Sequence, residues 1–264
     1  MHNVSSVFRL LFVTASRLLS GAHTVVYFHS GTLTVQVVSP LRRVIARIGF
    51  SLAHETWATN ADLAELIDSL GGSSTQVVSP YSSAVADSSS SGADKRHPAL
   101  HRVERGKSPA VVFFVGYGME LYGLDFVLDL MRDERLSAVS WTLITYGDEQ
   151  STVTTSERAR QAGVHVLVNL DPDDIHTELE RHDVLLRATT TDGDAMVVRE
   201  ALDLGLRVVA SDVVPRPAGV ELCSLNREDV VLTLLFGGVV SDGAGLGVSV
   251  ADQVIRTVRA GRGR

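Results

Sequence analysis

Cysteine is almost missing: there is one, Cys223, among 264 residues. A disulfide framework and a multi-cysteine zinc site are therefore both excluded, a reducing, cytoplasmic setting is the simplest expectation, and Cys223 reads as a small buried hydrophobe. Long apolar runs are missing too. The best stretch, Val7 to Leu19, is broken by Arg9 and Arg17, short of the roughly 18 uninterrupted apolar residues that a membrane-spanning helix requires. Those arginines lie inside the run instead of ahead of it, which is not the order of a secretory signal. Acid is absent from the first 54 residues, which hold five arginines (Arg9, Arg17, Arg42, Arg43 and Arg47). Everything after them carries the excess of acid that brings the whole chain to −7. That net charge argues against nucleic acid as a partner. The basic start reads either as a face for anionic lipid headgroups or as the solvated sides of two helices.

What is present is a packable chain, with 45% hydrophobic residues, 21% charged and 6% aromatic. Val7, Leu10, Leu11 and Leu18 recur at helical spacing, and His23 to Phe28 reads as a strand. A second amphipathic helix carries Leu41, Val44, Ile45, Ile48 and Leu52. A strand around Thr56 to Ala58, a helix capped by Asn60 and stopped by Gly71-Gly72, and a strand near Gln76 to Val78 complete an αβαβαβ rhythm that opens on a helix. The chain then turns Ser-rich, as a linker does. Beyond it, strands are expected at Ala110 to Val115, Ser140 to Thr145, Val164 to Val168, Asp183 to Arg187 and Leu206 to Ala210. The helices between them include one from Leu124 to Arg135, one opened by Asp171-Pro172, and one from Asp194 closed by Gly205. Near-continuous apolar strands alternating with helices predict an α/β fold with a doubly wound parallel sheet. The expected units are a partial N-terminal Rossmann-like domain over 1–86, a Ser-rich linker or insertion over 87–107, and a C-terminal Rossmann-like domain over 108–264.

Ligands of open α/β sheets bind beyond the carboxyl ends of the strands, so residues just after strands carry the chemistry. The richest such segment is Arg187 to Ser211, RATTTDGDAMVVREALDLGLRVVAS: strand end, polar glycine loop, helix, glycine stop, strand. Its loop delivers a helix N-terminus, which can hold a phosphate. Glu200 shares a helix face with Met196, Val197 and Leu204, an unusual place for a carboxylate unless something hydrogen-bonds it; a hydroxyl-rich ligand would serve. Asp192 and Asp194 also suit helix caps, and His29 and Arg187 taken alone suit structural roles.

These residues resemble the GT-B nucleotide-sugar glycosyltransferases, specifically the large retaining group with an E-x7-E motif, here Asp192-x7-Glu200. EALDLGLRVVASD (Glu200 to Asp212) resembles that group's EAMACGxPVVASD. VVFFVGYGMELYGLDFVLDLM (Val111 to Met131) resembles its first C-domain strand, glycine turn and helix, and VVSP (Val77 to Pro80) its hinge. The resemblance implies that Glu200 holds ribose hydroxyls of a nucleotide diphosphate sugar. It places Asp192, Gly193, Asp194, Ala195 and Thr189 at the sugar and diphosphate, with Gly116 in the turn beneath, and aims His29 at the interdomain cleft, where His29 and Asp192 would be catalytic. The family's phosphate-gripping arginine and lysine are replaced by Tyr117 and Tyr122, which implies either that Arg187 or Arg216 takes over or that donor binding is weakened. Neither a metal nor a cofactor is implied, since the nucleotide sugar is itself the donor substrate. A family N-domain opens with a strand and an acceptor loop upstream of where Met1 falls, so roughly the first quarter of such an enzyme is expected to be missing.

The resulting expectation is metal-independent transfer of a sugar from a nucleotide diphosphate donor to a lipid or glycan hydroxyl, in cell-envelope polysaccharide synthesis at the inner membrane face. Its alternative is a truncated or non-catalytic relative that serves as a partner subunit or does nothing. A GT-B-like epimerase is a third reading, with no motif in its favour.

Overall fold

The computed structural model describes residues 2–4, 6–21, 23–29, 32–79, 109–193, 195–242 and 248–249. The expected linker over 87–107 and Asp194 lie outside them.

Two parallel sheets organise these residues. The first opens on β1 (His2–Val4), so the series starts with a strand, where the periodicity predicted a helix. Three residues are too few to show an alternation, and pairing with β2 (Val25–Phe28) is what makes them a strand. Between them run a 3₁₀ turn at Val7–Arg9 and α1 (Leu10–Ser20), which ends at Gly21 with φ +62°. After β2 come α2 (Leu33–Gln36), α3 (Pro40–Leu52), β3 (Glu55–Ala58), α4 (Ala61–Ser69) and β4 (Gln76–Ser79). Asn60 caps α4 as expected, its side chain accepting from the Leu63 N–H at 2.9 Å. Leu10, Val13, Phe28, Phe50, Ile67 and Leu70 fill the core on one side of this sheet. The strand order is β1-β2-β3-β4-β12, where β12 (Val248–Ser249) returns from the far end of the chain to pair with β4.

The second sheet is built from β5 (Ala110–Gly116), β6 (Ser140–Tyr146), β7 (His165–Val168), β8 (Val184–Arg187), β9 (Arg207–Ser211), β10 (Glu221–Cys223) and β11 (Val239–Val240). Its order is β11-β10-β9-β8-β5-β6-β7, parallel except for the antiparallel edge pair β10–β11. Strand β5 is central and buried from Val111 to Gly116, which is why it reads as a continuous apolar run; edge strand β7 is only partly covered. Five helices connect the strands: α5 (Leu124–Leu130), α6 (Glu149–Gln161), α7 (Pro172–Leu179), α8 (Met196–Asp203) and α9 (Arg227–Phe236). One core layer joins α5, α6 and α9 to Phe113, Trp141 and Leu143; the opposite layer joins α7 and α8 to Val112, Ile144 and Leu185. The sheet is thus doubly wound.

Three local expectations are corrected. The helix predicted to run to Arg135 stops at Leu130, because Asp133 accepts from the Arg135 N–H and starts a separate 3₁₀ turn at Glu134–Leu136. Asp171 makes no side-chain cap; Pro172 at the first helical position and Asp173 and Asp174 in the first turn mark the start of α7 instead. Helix α8 begins at Met196 with Ala195 at its cap position, so Asp192 does not cap it.

Candidate functional site

The order of the second sheet reverses at the β5–β8 pair: the chain leaves β5 toward β6 on one side and leaves β8 toward β9 on the other. Such a switch point opens a crevice beyond the strand ends. Gly116 and Arg187 end these two strands, and Tyr117, Tyr122, Thr189, Asp192 and Gly193 fall in the segments that leave them. Tyr117 takes a left-handed backbone (φ +53°), and its N–H donates to the Tyr146 carbonyl at 2.6 Å, which bends the β5 loop over β6. Gly123 (φ +70°) starts α5 directly against the exit of β8, where a Cβ would collide with the Ala188 carbonyl. Only glycine fits both constraints. Thr190 N–H, donating to the Leu121 carbonyl at 2.9 Å, ties the two loops together.

A buried charged cluster sits where they meet. Asp192 accepts from Arg187 Nε at 2.9 Å and Nη2 at 3.0 Å, from Arg216 Nη1 at 2.7 Å, and from the Gly193 N–H at 2.9 Å. Arg216 comes from the loop after β9 and also donates to the Ser211 carbonyl at 3.1 Å and to Thr189 Oγ1 at 3.2 Å. Arg187 lies 5.0 Å above the Tyr122 ring, and the Tyr122 and Tyr146 hydroxyls are 2.8 Å apart. Burial would push the Asp192 carboxyl up, but Arg187 and then Arg216 overcome it and hold the group down at about 2. Burial likewise opposes the charge on Arg187, and Asp192 more than restores it. Burial, with the Tyr122 hydrogen bond, keeps the Tyr146 phenol protonated well above its ordinary range. Two guanidinium groups against one carboxylate leave one net positive charge beneath the crevice.

Glu200 is on α8, half-buried, and accepts no hydrogen bond among the described residues. Burial raises its pKa, and His176 on α7 offsets part of that rise. Ala195 occupies the cap position of α8 and makes no side-chain cap to its first N–H groups. A cavity of about 760 Å³ opens on the opposite face, between α5 and α6, lined by Tyr117, Gly118, Gly123, Asp148, Ser151 and Thr190 among others. It shares Tyr117 and Thr190 with the switch-point loops but does not reach Glu200.

The second sheet thus gathers the Arg187–Asp192–Arg216 cluster with Thr189, Gly193, Tyr117 and Tyr122, and puts Glu200 and Ala195 on the neighbouring helix. His29 belongs to the first sheet, at the end of β2, half-buried beside the Tyr27 ring; burial and then Arg9 lower its pKa. No hydrogen bond joins it to the second-sheet residues among those described. Sequence reasoning missed Tyr146 and Asn169. Asn169 (φ +49°) accepts from the Gly147 N–H at 3.0 Å and donates to the Gly147 carbonyl at 3.3 Å, closing the β6 and β7 loops on each other. A signal for it existed in an asparagine directly after a strand.

Residues 109–231 match the family model described as Glycosyl transferases group 1. No curated protein matches the chain in sequence. Among solved structures, sucrose-phosphate synthase from Thermosynechococcus elongatus superposes with a TM-score of 0.66 at 14% identity, over 88% of this chain and 63% of that one. An α,α-trehalose-phosphate synthase (UDP-forming) from Burkholderia vietnamiensis gives 0.64 at 11%, over 88% and 63%. Anabaena HepE, solved with UDP and glucose, gives 0.60 at 14%, over 89% and 68%. This chain therefore spans less than two thirds of the length of the two synthases. The structural likeness supplies the architecture, two Rossmann-like units of GT-B type, and the family match is confined to the second unit, where residues 109–231 are similar to the glycosyl transferases group 1.

Proposed function

We propose that the chain binds a nucleotide diphosphate sugar at the β5–β8 crevice and transfers its sugar to a hydroxyl acceptor, a lipid or a glycan. The observation that carries this reading is Glu200: a half-buried carboxylate without a hydrogen-bond donor among the described residues, on the first turns of a helix whose leading N–H groups have an alanine, Ala195, at their cap position. Ribose hydroxyls would satisfy the carboxylate, and the diphosphate would meet those N–H groups and the net positive cluster beside them. The solved HepE complexes with UDP support a nucleotide diphosphate as the ligand class.

Within this reading, Glu200, Ala195, Gly193 and Thr189 contact the donor, Asp194 joins them by its place in the same loop, and Gly116, Tyr117 and Tyr122 form the floor. Arg187 and Arg216 act on the diphosphate as a positive field, since their guanidinium groups are already engaged by Asp192. Asp192 then becomes a positioning residue, because its oxygens are occupied by protein donors. His29 serves the acceptor side of the cleft. The division we propose is an N-terminal unit over 1–86, a linker over 87–107 and a C-terminal unit over 108–264, with Val248–Ser249 crossing back to the first sheet. The second reading, a binding but non-catalytic relative, draws on Tyr117 and Tyr122 standing where the family's phosphate grips are expected.

Isothermal titration with UDP, GDP and ADP tests the proposal. One of them is expected to bind, and Glu200→Gln to weaken that binding about tenfold or more, the worth of a charged hydrogen bond. Absence of binding by all three rejects the donor site. Binding of a diphosphate without consumption of any matching nucleotide sugar favours the non-catalytic reading.

A further inference from the structure

The helices of the first sheet leave large apolar side chains in solvent: Phe12 (73% exposed), Leu18 and Leu19 (87%) on α1, Val38 ahead of α3, and Leu41 and Val44 on α3. Scattered apolar exposure is ordinary, but here the two helices are locked into one surface. Gly49 lets α3 close on α1, since a Cβ there would lie 2.5 Å from that of Leu10. The Val7 N–H donates to Gln36 Oε1 at 2.9 Å, which fixes α2 to the start of α1, and the Arg42 guanidinium lies 5.3 Å over the Phe8 ring. Arg42, Arg43 and Arg47 are exposed on α3, and none is in an ion pair among the described residues. The acids of this unit begin only at Glu55, on β3 and α4.

From this juxtaposition we infer that the α1–α3 face docks on an anionic lipid bilayer. Phosphate headgroups would receive the α3 guanidinium groups, while Phe12, Leu19 and Leu41 enter the acyl boundary. Charge decides against a second copy of the chain as the occupant: a two-fold contact would set this acid-free, arginine-bearing face against itself. The inference goes beyond the glycosyl-transfer reading and does not depend on it, because no residue of the β5–β8 crevice takes part.

Flotation of the full chain with vesicles provides the test, using phosphatidylcholine alone and an equimolar mixture with phosphatidylglycerol. The chain is expected to float with the mixed vesicles only, less so as NaCl is raised. Replacing Arg42, Arg43 and Arg47 together by Ala should weaken this binding roughly a hundredfold, given the usual worth of a cation at a charged membrane surface. Phe12→Ser with Leu19→Ser should weaken it about tenfold; both positions are exposed, so the fold is expected to survive, with an unchanged circular dichroism spectrum. Equal flotation with phosphatidylcholine alone, no flotation at all, or full flotation of the triple arginine variant would each overturn the inference. So would a concentration-dependent dimer that Phe12→Ser abolishes in a chain that does not float. None of these readouts involves a nucleotide, so they stand apart from the donor titration.

Discussion

At the scale of single residues, two carboxylates differ: Asp192 holds two arginines, and Glu200 accepts no hydrogen bond among the described residues. Asp192 is the counter-charge of Arg187 and Arg216, and their side chains are 7%, 8% and 1% exposed. Removing one member of such a group leaves a buried charge uncompensated, so Asp192→Asn is expected to cost about 3–5 kcal/mol at pH 7, read from urea unfolding. The pH dependence has a definite sign. The folded-state pKa of Asp192 is depressed from 3.8 to about 2, so its contribution is present above the unfolded value and is lost as pH falls through the folded one. The stability gap between parent and Asp192→Asn should therefore shrink between about pH 4 and pH 2; a gap independent of pH would deny the ion pairs their role. Part of this was legible in the sequence. Glu200 announced itself as an acid on an apolar helix face, and Cys223 as a buried hydrophobe: it is 2% exposed, with burial raising its thiol to about 12. The pairing of Arg216 with Asp192 was not legible, since they are 24 positions apart with helix α8 and strand β9 between them.

At the scale of elements, periodicity located β2 to β9 but left β10 unassigned, and α9 with its buried Val230, Val231 and Leu234, and it failed where a neighbour decides. The three residues of β1 and the two of β11 are strands only because β2 and β10 pair with them. The end of α5 and the bare cap of α8 were set by loop hydrogen bonds and packing that propensity does not record. Gly123 combines both kinds of information: its place before an apolar helix is visible in the sequence, while its collision with the β8 exit exists only in three dimensions. Gly123→Ala adds left-handed strain and an overlap with the Ala188 carbonyl, which together should destabilise the chain by about 2–4 kcal/mol, measured by thermal or urea unfolding. A neutral substitution would show that the two loops of the crevice are not held against each other.

At the scale of the whole molecule, two sheets with separate apolar cores divide the labour. The second carries the crevice and the family match, and the first carries the basic apolar face. Ligand held by one sheet should stabilise that sheet first. A binding diphosphate at a hundredfold excess over its Kd contributes about 2.7 kcal/mol to the state that binds it. Hydrogen exchange read by mass spectrometry should therefore slow in β5, β8 and α8 while β2 and β3 exchange as before; protection confined to the first sheet would place the ligand elsewhere. Among the described residues no helix is long and apolar enough to cross a membrane, so the docking proposed for α1 and α3 is to a surface. The sequence by itself determined the alternation of strands and helices, the parallel layering and the polar glycine loop between β8 and α8, because burial imposes a period on a chain whatever its partners are. Only the tertiary structure decided which strands are neighbours, that Asp192 spends itself on two arginines, and that the stripes of α1 and α3 form one face. Those are relations between residues far apart along the chain, and a local pattern cannot encode the distance between them.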